Sequence, residues 1–359
     1  MPRPALHQFI VGAAPGDAIT DQALLLRRWL RQDGFRSEVF AESIAPEMAA
    51  DVQTYLGYRP SRPGELVILH HSIGTALVDD LLSMDVRFLV IYHNITPAEF
   101  VLDTDPVLAG QLARGQAQLH RLRERTRLGL ADSAYNEAEL VKADFGPTGV
   151  LPITLDETQY NLPSNPALLA RYQEGGPYLL FVGRLVPNKR QEDLIRLLKL
   201  YHRIEPAAHL FLVGAPWAPE YADGLRELAQ EMGLGSDVTF TGRVPQSALL
   251  TYYRLADLYV SMSEHEGFGK PLAESMLLGL PVMAYAAAAV PGTLGGSGIL
   301  FREKNYEALA ELADILIKDG LLRQRIIARQ QKRAQAFTEA NVMQIWRAFL
   351  AEVDDLSIL

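Results

Sequence analysis

The sequence predicts an α/β protein in two domains, each a parallel sheet covered by helices, and three observations carry that prediction. Short apolar or β-branched runs alternate with longer stretches of helical period, the pattern of crossover connections between parallel strands. The chain has 359 residues, more than the ~250–300 that one hydrophobic core accommodates. The stretch from Leu162 to Pro177 holds three prolines and two glycines among polar residues, which is linker composition. The domain boundary is therefore drawn inside that stretch, with residues 1–165 as the first domain, 166–340 as the second, and 341–359 as a closing helical segment.

Taken in order, the strands of the first half are read at Gln8–Gly12, Leu66–His71, Phe88–His93, Leu128–Asp132 and Val150–Ile153. Ile19, Ala23, Leu26 and Leu30 recur at the spacing of a helix with one apolar face, joined to the first strand by Gly12-Ala13-Ala14-Pro15-Gly16-Asp17. Asp105 precedes Pro106 and the stripe Leu108, Leu112, Leu119, Leu122, so it reads as a helix N-cap followed by proline at the first helical position. Ala131-Asp132-Ser133, with Asn136, reads as a strand end and a helix cap. In the second half the strands are Tyr178–Gly183, His209–Gly214, Val238–Gly242, Leu258–Ser263, Pro281–Ala286 and Ile299–Phe301. Leu194, Leu197, Leu198 and Tyr201 place a helix against the sheet between the first two of these. A polar helix ends near Phe337, and the apolar helix Val342–Val353 follows it with no strand after. No internal repeat or low-complexity tract interrupts the pattern.

Composition bounds the function. With 48% hydrophobic residues, 21% charged residues and a mean hydropathy of +0.02, the chain reads as globular rather than disordered or fibrous. The absence of cysteine excludes disulfides, thiolate metal sites and cysteine nucleophiles, and a reducing cytoplasm is the expected compartment. No signal-peptide core precedes Val11, and the apolar stretch Leu277–Val290 is broken by Gly279 and Pro281, short of the ~20 residues of a membrane span. A net charge of −9 argues against a protein that coats nucleic acid, while leaving room for a local cationic pocket around one phosphate group.

The most informative run is Ser263-Glu264-His265-Glu266-Gly267-Phe268-Gly269-Lys270-Pro271-Leu272-Ala273-Glu274. An apolar strand ends at Ser263, a Gly-x-Gly turn follows, and Pro271 falls where a first helical turn starts. Such a turn presents unsatisfied N–H groups and the positive end of the helix dipole to an anion. Gly267 and Gly269 let a diphosphate or a sugar approach the backbone. Glu274, one turn in, can accept the two hydroxyls of a ribose, and Glu266, before the turn, the hydroxyls of a second sugar. A Gly-x-Gly turn alone describes an ordinary strand–turn–helix; the two glutamates, the proline and the preceding strand make the combination specific. A second cluster, Phe181-Val182-Gly183-Arg184-Leu185-Val186-Pro187-Asn188-Lys189, again ends a strand in glycine and places Arg184 and Lys189 on the loop beyond it. Ligands of open parallel sheets bind beyond the carboxyl ends of the strands, where two cations suit a leaving diphosphate.

These residues resemble the retaining glycosyltransferases of family 4, which have the GT-B architecture: two Rossmann-like domains facing across a cleft. The likeness runs from Gly183-Arg184 and Lys189 through Val213-Gly214 and Gly242-Arg243-Val244 to Glu266 and Glu274, the family's Glu-x7-Glu signature. The resemblance implies that Arg184 and Lys189 hold a diphosphate, that Glu274 holds the ribose, and that Glu266 with the backbone of Gly267, Phe268 and Gly269 holds the donor sugar; Lys270 and Pro271 open the helix beside it. It further implies that the closing helix crosses back to the first domain. At Val290-Pro291-Gly292-Thr293 the family would place a glutamate where this chain has Gly292. In the first half, His93 at the end of Tyr92-His93-Asn94-Ile95-Thr96-Pro97 matches the position of a histidine that faces the donor sugar, and the alternative is a histidine capping the next helix start. Gly12 and Gly16 match the family's N-terminal glycine-rich loop by position, without its Gly-Gly pair.

The implied activity is transfer of a mannose- or glucose-type hexosyl unit from a GDP- or UDP-linked sugar to a saccharide, lipid-linked or small-molecule acceptor, with retention and without a metal or other cofactor. A phosphorylase or nucleotide-sugar epimerase would reuse the same residues, and a non-catalytic nucleotide-binding module is a third reading. Asp103-Thr104-Asp105 formally matches the Asp-x-Asp of metal-dependent transferases, but Asp105 already serves as a helix cap. His70 and His71 point to opposite faces of a strand and cannot share one ion. Arg114, Arg121 and Arg125 lie on one face of a basic segment, Arg114–Arg127, which is either solvated or a contact for anionic lipid at the inner face of a membrane.

Overall fold

Two strands that the sequence does not announce complete the first sheet. The computed structural model describes residues 5–173 and 175–353; positions 354–359 of the predicted closing segment lie outside them. The first unit comprises residues 1–102, 106–154 and 339–359, and the second 103–105 and 155–338.

The first unit holds β1 (Gln8–Ala13), β2 (Val39–Ile44), β3 (Val52–Thr54), β4 (Glu65–His71), β5 (Val86–Tyr92), β6 (Thr126–Ala131) and β7 (Thr148–Val150). They form one parallel sheet in the order β3-β2-β1-β4-β5-β6-β7. β4 is buried along its whole length, as a central strand covered on both faces should be. β2 and β3 escape sequence detection because β2 carries Glu42 and Ser43 exposed at its end and β3 is three residues long; both take their extended form from pairing rather than from apolar content.

The second unit holds β8 (Tyr178–Val182), β9 (His209–Val213), β10 (Val238–Gly242), β11 (Leu258–Ser261), β12 (Val282–Tyr285) and β13 (Ile299–Phe301). These pair in parallel in the order β10-β9-β8-β11-β12-β13. In each sheet the order reverses beside the first strand of the unit, which leaves a crevice at the carboxyl ends of β1 and β4, and of β8 and β11.

The division of the chain differs from the sequence expectation in where the first stretch ends. It falls after Thr154, ahead of the proline-rich stretch, because residues 155–165 are fastened to the second unit. Leu155 pairs with Thr338 in an isolated bridge, and Asn165 N–H donates to Thr251 Oγ1 at 2.7 Å. The Arg254 guanidinium donates to the carbonyls of Tyr160 and Leu162. The helix Glu339–Glu352 belongs to the first unit, where Val342, Trp346 and Leu350 join a core with Leu26, Trp29, Ile68 and Leu130. A side chain at Gly149 of β7 would overlap the Phe349 ring at 2.2 Å, so the absence of a Cβ there admits this helix to the sheet.

Among the described residues no helix is long and apolar enough to cross a membrane. On the basic face Arg114 and Arg121 both pair with Asp79 while remaining exposed, and Arg125 donates to the Met84 carbonyl.

Candidate active site

In the second unit the glycines that end successive strands lie side by side. Gly183 N–H donates to the Val213 carbonyl at 2.9 Å, and Gly214 N–H to the Gly242 carbonyl at 3.1 Å. A Cβ on Gly214 would sit 2.0 Å from the Gly183 carbonyl oxygen, so only glycine lets these two strand ends touch. Arg184 follows, exposed, with its guanidinium 5.4 Å from the centre of the Trp217 ring. Trp217 in turn donates from Nε1 to Asp105 Oδ2 at 2.9 Å, so Asp105 of the Asp-x-Asp has an indole partner. Arg243 is likewise exposed, and Val244 half-buried, on the loop after β10.

The loops after β8 and β11 are joined. Asn188, buried, donates from Nδ2 to the His265 carbonyl, while its own carbonyl accepts from Glu264 N–H at 2.9 Å. Lys189 Nζ lies 2.7 Å from Glu266 Oε2 and 3.3 Å from the His265 carbonyl. The pair is half-buried, at 19% and 15% side-chain exposure, so it interacts through less water than a surface pair and is harder to separate. Arg190 adopts φ 55, ψ 46, a left-handed conformation unfavourable for a side-chain-bearing residue. It is held there by Asp193, which also accepts from Lys304, Arg196 and Tyr306. Burial would raise the Asp193 carboxyl, but Lys304, Arg190 and Tyr306 together hold it below the usual carboxylate range.

The helix Lys270–Leu277 begins at Gly269, whose φ of +80 makes the turn, with Pro271 in the first turn as the sequence predicts. Glu274 is 5% exposed and both its oxygens are engaged: Oε1 accepts from Tyr160 at 2.9 Å and Oε2 from Tyr253 at 2.6 Å. Burial and the Glu274 carboxylate push the Tyr253 hydroxyl well up, so it stays protonated and donates. Lys270 Nζ stands 4.0 Å from the same carboxylate. Neither tyrosine carries a local sequence signal; only the chain's tertiary path brings them to Glu274. The Phe268 ring belongs to the packing, edge-on to Phe337 at 5.1 Å. At Gly292, in the short helix Val290–Leu294, Arg333 takes the carbonyls of Gly292 and Thr293, and a Cβ would meet open space.

In the first unit the glycine-rich loop closes on itself. Asp17 caps the helix Ala18–Gln32 through Thr20 N–H, Thr20 Oγ1 donates to the Gly12 carbonyl, and Gly16 turns the chain at φ +70. His93 lies at the end of β5, among polar partners. Its side chain is 2% exposed, its Nδ1 lies 2.9 Å from Asp132 Oδ2, and its Nε2 lies 2.8 Å from His70 Nδ1. Both ring nitrogens therefore have partners inside this unit. Ser133 caps the next helix as predicted, but Asp132, read as structural, is the partner of His93. His70 and His71 do face opposite ways, His71 bonding the Gly115 carbonyl.

Comparison with known proteins fits this geometry. Residues 170–333 match the family Glycosyl transferases group 1. The chain is similar to a D-inositol 3-phosphate glycosyltransferase of Nocardia farcinica, at 30% identity over 63% of this chain and 52% of that one. It is similar also to a GDP-mannose-dependent alpha-(1-6)-phosphatidylinositol monomannoside mannosyltransferase of Mycobacterium tuberculosis, at 28% identity over 55% of each chain. The chain thus spans about half the length of the curated relatives it matches. Among solved structures, Anabaena HepE in complex with UDP-glucose superposes with a TM-score of 0.75 at 18% identity, covering 97% of this chain and 99% of that one, a likeness of fold. The parallel sheets of both units, the glycine-ended strands and the superposition agree on the fold: this is a chain of GT-B architecture whose residues 170–333 match the group 1 glycosyltransferases.

Proposed function

We propose that the protein is a retaining glycosyltransferase that moves a hexosyl unit from a nucleotide-diphosphate sugar to a saccharide, lipid-linked or small-molecule acceptor. The observation that carries this reading is the joining of the loops after β8 and β11. Lys189 meets Glu266 at 2.7 Å, directly before a helix whose first turn, after Gly269, offers N–H groups to an anion, with Glu274 one turn further in. Donors of both nucleotide types occur among the similar proteins: one relative is named for GDP-mannose, and HepE was solved with UDP-glucose.

In this reading Arg184, Lys189 and the N–H groups at the start of Lys270–Leu277 take the charge of the departing diphosphate. Such prearranged donors are worth ~10²–10³-fold in rate. Attack comes from the face the diphosphate leaves, the leaving phosphate assists it, and no divalent ion is required. The nucleotide is found by thermal shift with UDP, GDP and ADP, since a ligand at 100-fold its Kd stabilises by ~2.7 kcal/mol. Arg184→Ala and Lys189→Ala are each expected to weaken nucleoside-diphosphate binding at least ~10-fold, the worth of one charge-assisted hydrogen bond. Turnover is expected to persist in excess EDTA. Unchanged affinity in both variants by calorimetry, or loss of turnover to chelator with rescue by Mn²⁺, would overturn the corresponding half of the proposal.

A further inference from the structure

Two tyrosines from separate elements of the second unit converge on the Glu274 carboxylate. Tyr253 lies in the helix Gln246–Leu255 and Tyr160 in the turn Glu157–Tyr160, so neither adjoins Glu274 in the chain. The Tyr253 hydroxyl donates to Oε2 at 2.6 Å and the Tyr160 hydroxyl to Oε1 at 2.9 Å. All three residues are buried.

The choice of donor decides what the carboxylate can still do. Each hydroxyl gives one hydrogen to a different oxygen, and a carboxylate oxygen has two lone pairs, so each oxygen keeps one acceptor position. Tyrosine is neutral and leaves the charge of the carboxylate in place, whereas a guanidinium there would cancel it and take both oxygens in one bidentate pair. Burial and the Glu274 carboxylate push the Tyr253 hydroxyl well up, which keeps it a donor. Lys270, one turn earlier on the same helix, stands 4.0 Å away, and the Glu274 side chain retains 7% exposure, a narrow edge by which it can be reached. A glutamate side chain otherwise turns about three bonds; with both oxygens tied, its plane is set before any ligand arrives and binding does not have to order it. The Tyr160 end is anchored in its own right. The Arg254 guanidinium, next in the chain to Tyr253, donates to the Tyr160 carbonyl at 3.1 Å and to the Leu162 carbonyl at 2.8 Å. One helix thus supplies the first tyrosine and the clamp on the second. Two acceptor positions on a fixed plane, one on each oxygen, match the adjacent 2′ and 3′ hydroxyls of a ribose.

We propose that Tyr253 and Tyr160 are positioning residues that fix the Glu274 carboxylate for a vicinal diol, and that through it they set a preference for ribonucleoside diphosphates over those that lack the ribose hydroxyls. The proposal rests on the reading of Glu274 as the ribose contact. Neither tyrosine touches the nucleotide; each acts through the carboxylate.

The test is calorimetric titration of the full chain with UDP and GDP and with their 2′,3′-dideoxy counterparts, which keep the base and the diphosphate and lack both hydroxyls. The wild-type chain is expected to favour the ribonucleotide at least ~10-fold. Tyr253→Phe removes one oxygen and keeps the ring. It is expected to lower that preference about three- to tenfold, the worth of ordering one side chain, by weakening the ribonucleotide while dideoxynucleotide affinity stays within about twofold. Tyr160→Phe is expected to do the same, and serves if Tyr253→Phe does not fold. In Glu274→Ala the preference is lost, and adding Tyr253→Phe to that variant changes it no further, because the tyrosine acts through the carboxylate. A tyrosine that only supported the fold would move both nucleotides alike. A parallel fall in both affinities, or an unchanged preference in both phenylalanine variants, therefore overturns the positioning role. A wild-type chain that binds ribo- and dideoxynucleotides equally overturns the diol contact and this proposal, while leaving the glycosyl-transfer reading standing; one that binds no nucleoside diphosphate sinks that reading and the proposal together.

Discussion

At Glu274 one buried carboxylate accepts from two tyrosine hydroxyls, in addition to the ribose contact proposed for it. Tyr253 is 2% exposed and its hydroxyl donates to Oε2, while Tyr160 donates to Oε1. Glu274→Ala leaves two hydroxyls without their acceptor, and a buried unsatisfied group costs ~1–3 kcal/mol. Glu274→Gln keeps one acceptor oxygen and should cost less, so denaturant titration is expected to rank wild type above Gln above Ala. The proposed ribose contact adds a second signature. Glu274→Ala is expected to weaken binding of free UDP or GDP, whereas Glu266→Ala, assigned to the sugar, should leave free-nucleotide affinity within about threefold and lower kcat/KM instead. A Glu266→Ala chain that loses free-nucleotide affinity while Glu274→Ala keeps it would reverse the two assignments. Lys189→Ala also strands Glu266, so its thermal stability has to be read beside its binding.

At the scale of elements, the loop that carries Lys189 is held from behind rather than by its own sequence. Arg190 sits in a left-handed conformation that costs about 1–2 kcal/mol, and the ion pairs to Asp193, Glu192 and Glu264 offset it. The Asp193 side chain is 0% exposed, so Asp193→Asn should loosen the loop and cost about 2 kcal/mol. The pH dependence has a definite sign. The Asp193 carboxyl is lowered in the folded state, so its stabilising contribution is complete above the ordinary value of 3.8 and is lost as pH falls below it. Protection from hydrogen exchange in residues 186–190, taken relative to the intrinsic rate at each pH, should therefore fall on acidification in the wild-type chain, and be lower and less pH-dependent in Asp193→Asn; equal acid sensitivity would discount Asp193. The same element shows what a sequence reveals. Lys189, Glu266, Gly269 and Glu274 were legible because contiguous runs carry strand end, turn and helix start together. Tyr160, Tyr253 and Trp217, and Asp193 through Tyr306, act through partners 21 to 114 residues away in the chain, which no local period encodes. Asp132 was read as part of a cap because its neighbour Ser133 is one, and its bond to His93 spans two strands. All six strands of the second sheet were legible as apolar runs, whereas β2 and β3 were not, since pairing rather than composition makes them.

For the molecule as a whole, the last described helix finishes a core that the first 154 residues only begin. Trp346 is 0% exposed and packs in one cluster with Leu26, Trp29, Leu89 and Leu130, so the first unit depends on residues that follow the entire second one. Entry of the helix is further fixed by Glu339, which accepts from Trp29 Nε1 at 2.9 Å and pairs with Arg28. Trp346→Ala is expected to cost ~3–5 kcal/mol, the range for an aromatic removed from a packed core. Trp346→Phe should cost much less than its lost volume implies. The indole Nε1 is buried without a hydrogen-bond partner, and phenylalanine removes that unpaired donor while retaining an aromatic ring in the site. Arg347→Ala, which breaks only the exposed pair to Asp33, should change stability little. The measurement is denaturant unfolding of the three variants, with amide exchange followed in β1 and β4–β6. If the helix completes the core, exchange in those strands accelerates strongly in Trp346→Ala and hardly at all in Arg347→Ala. Equal protection in both would mean that the first sheet holds without this helix, and that the return of the chain serves another purpose than closing the core.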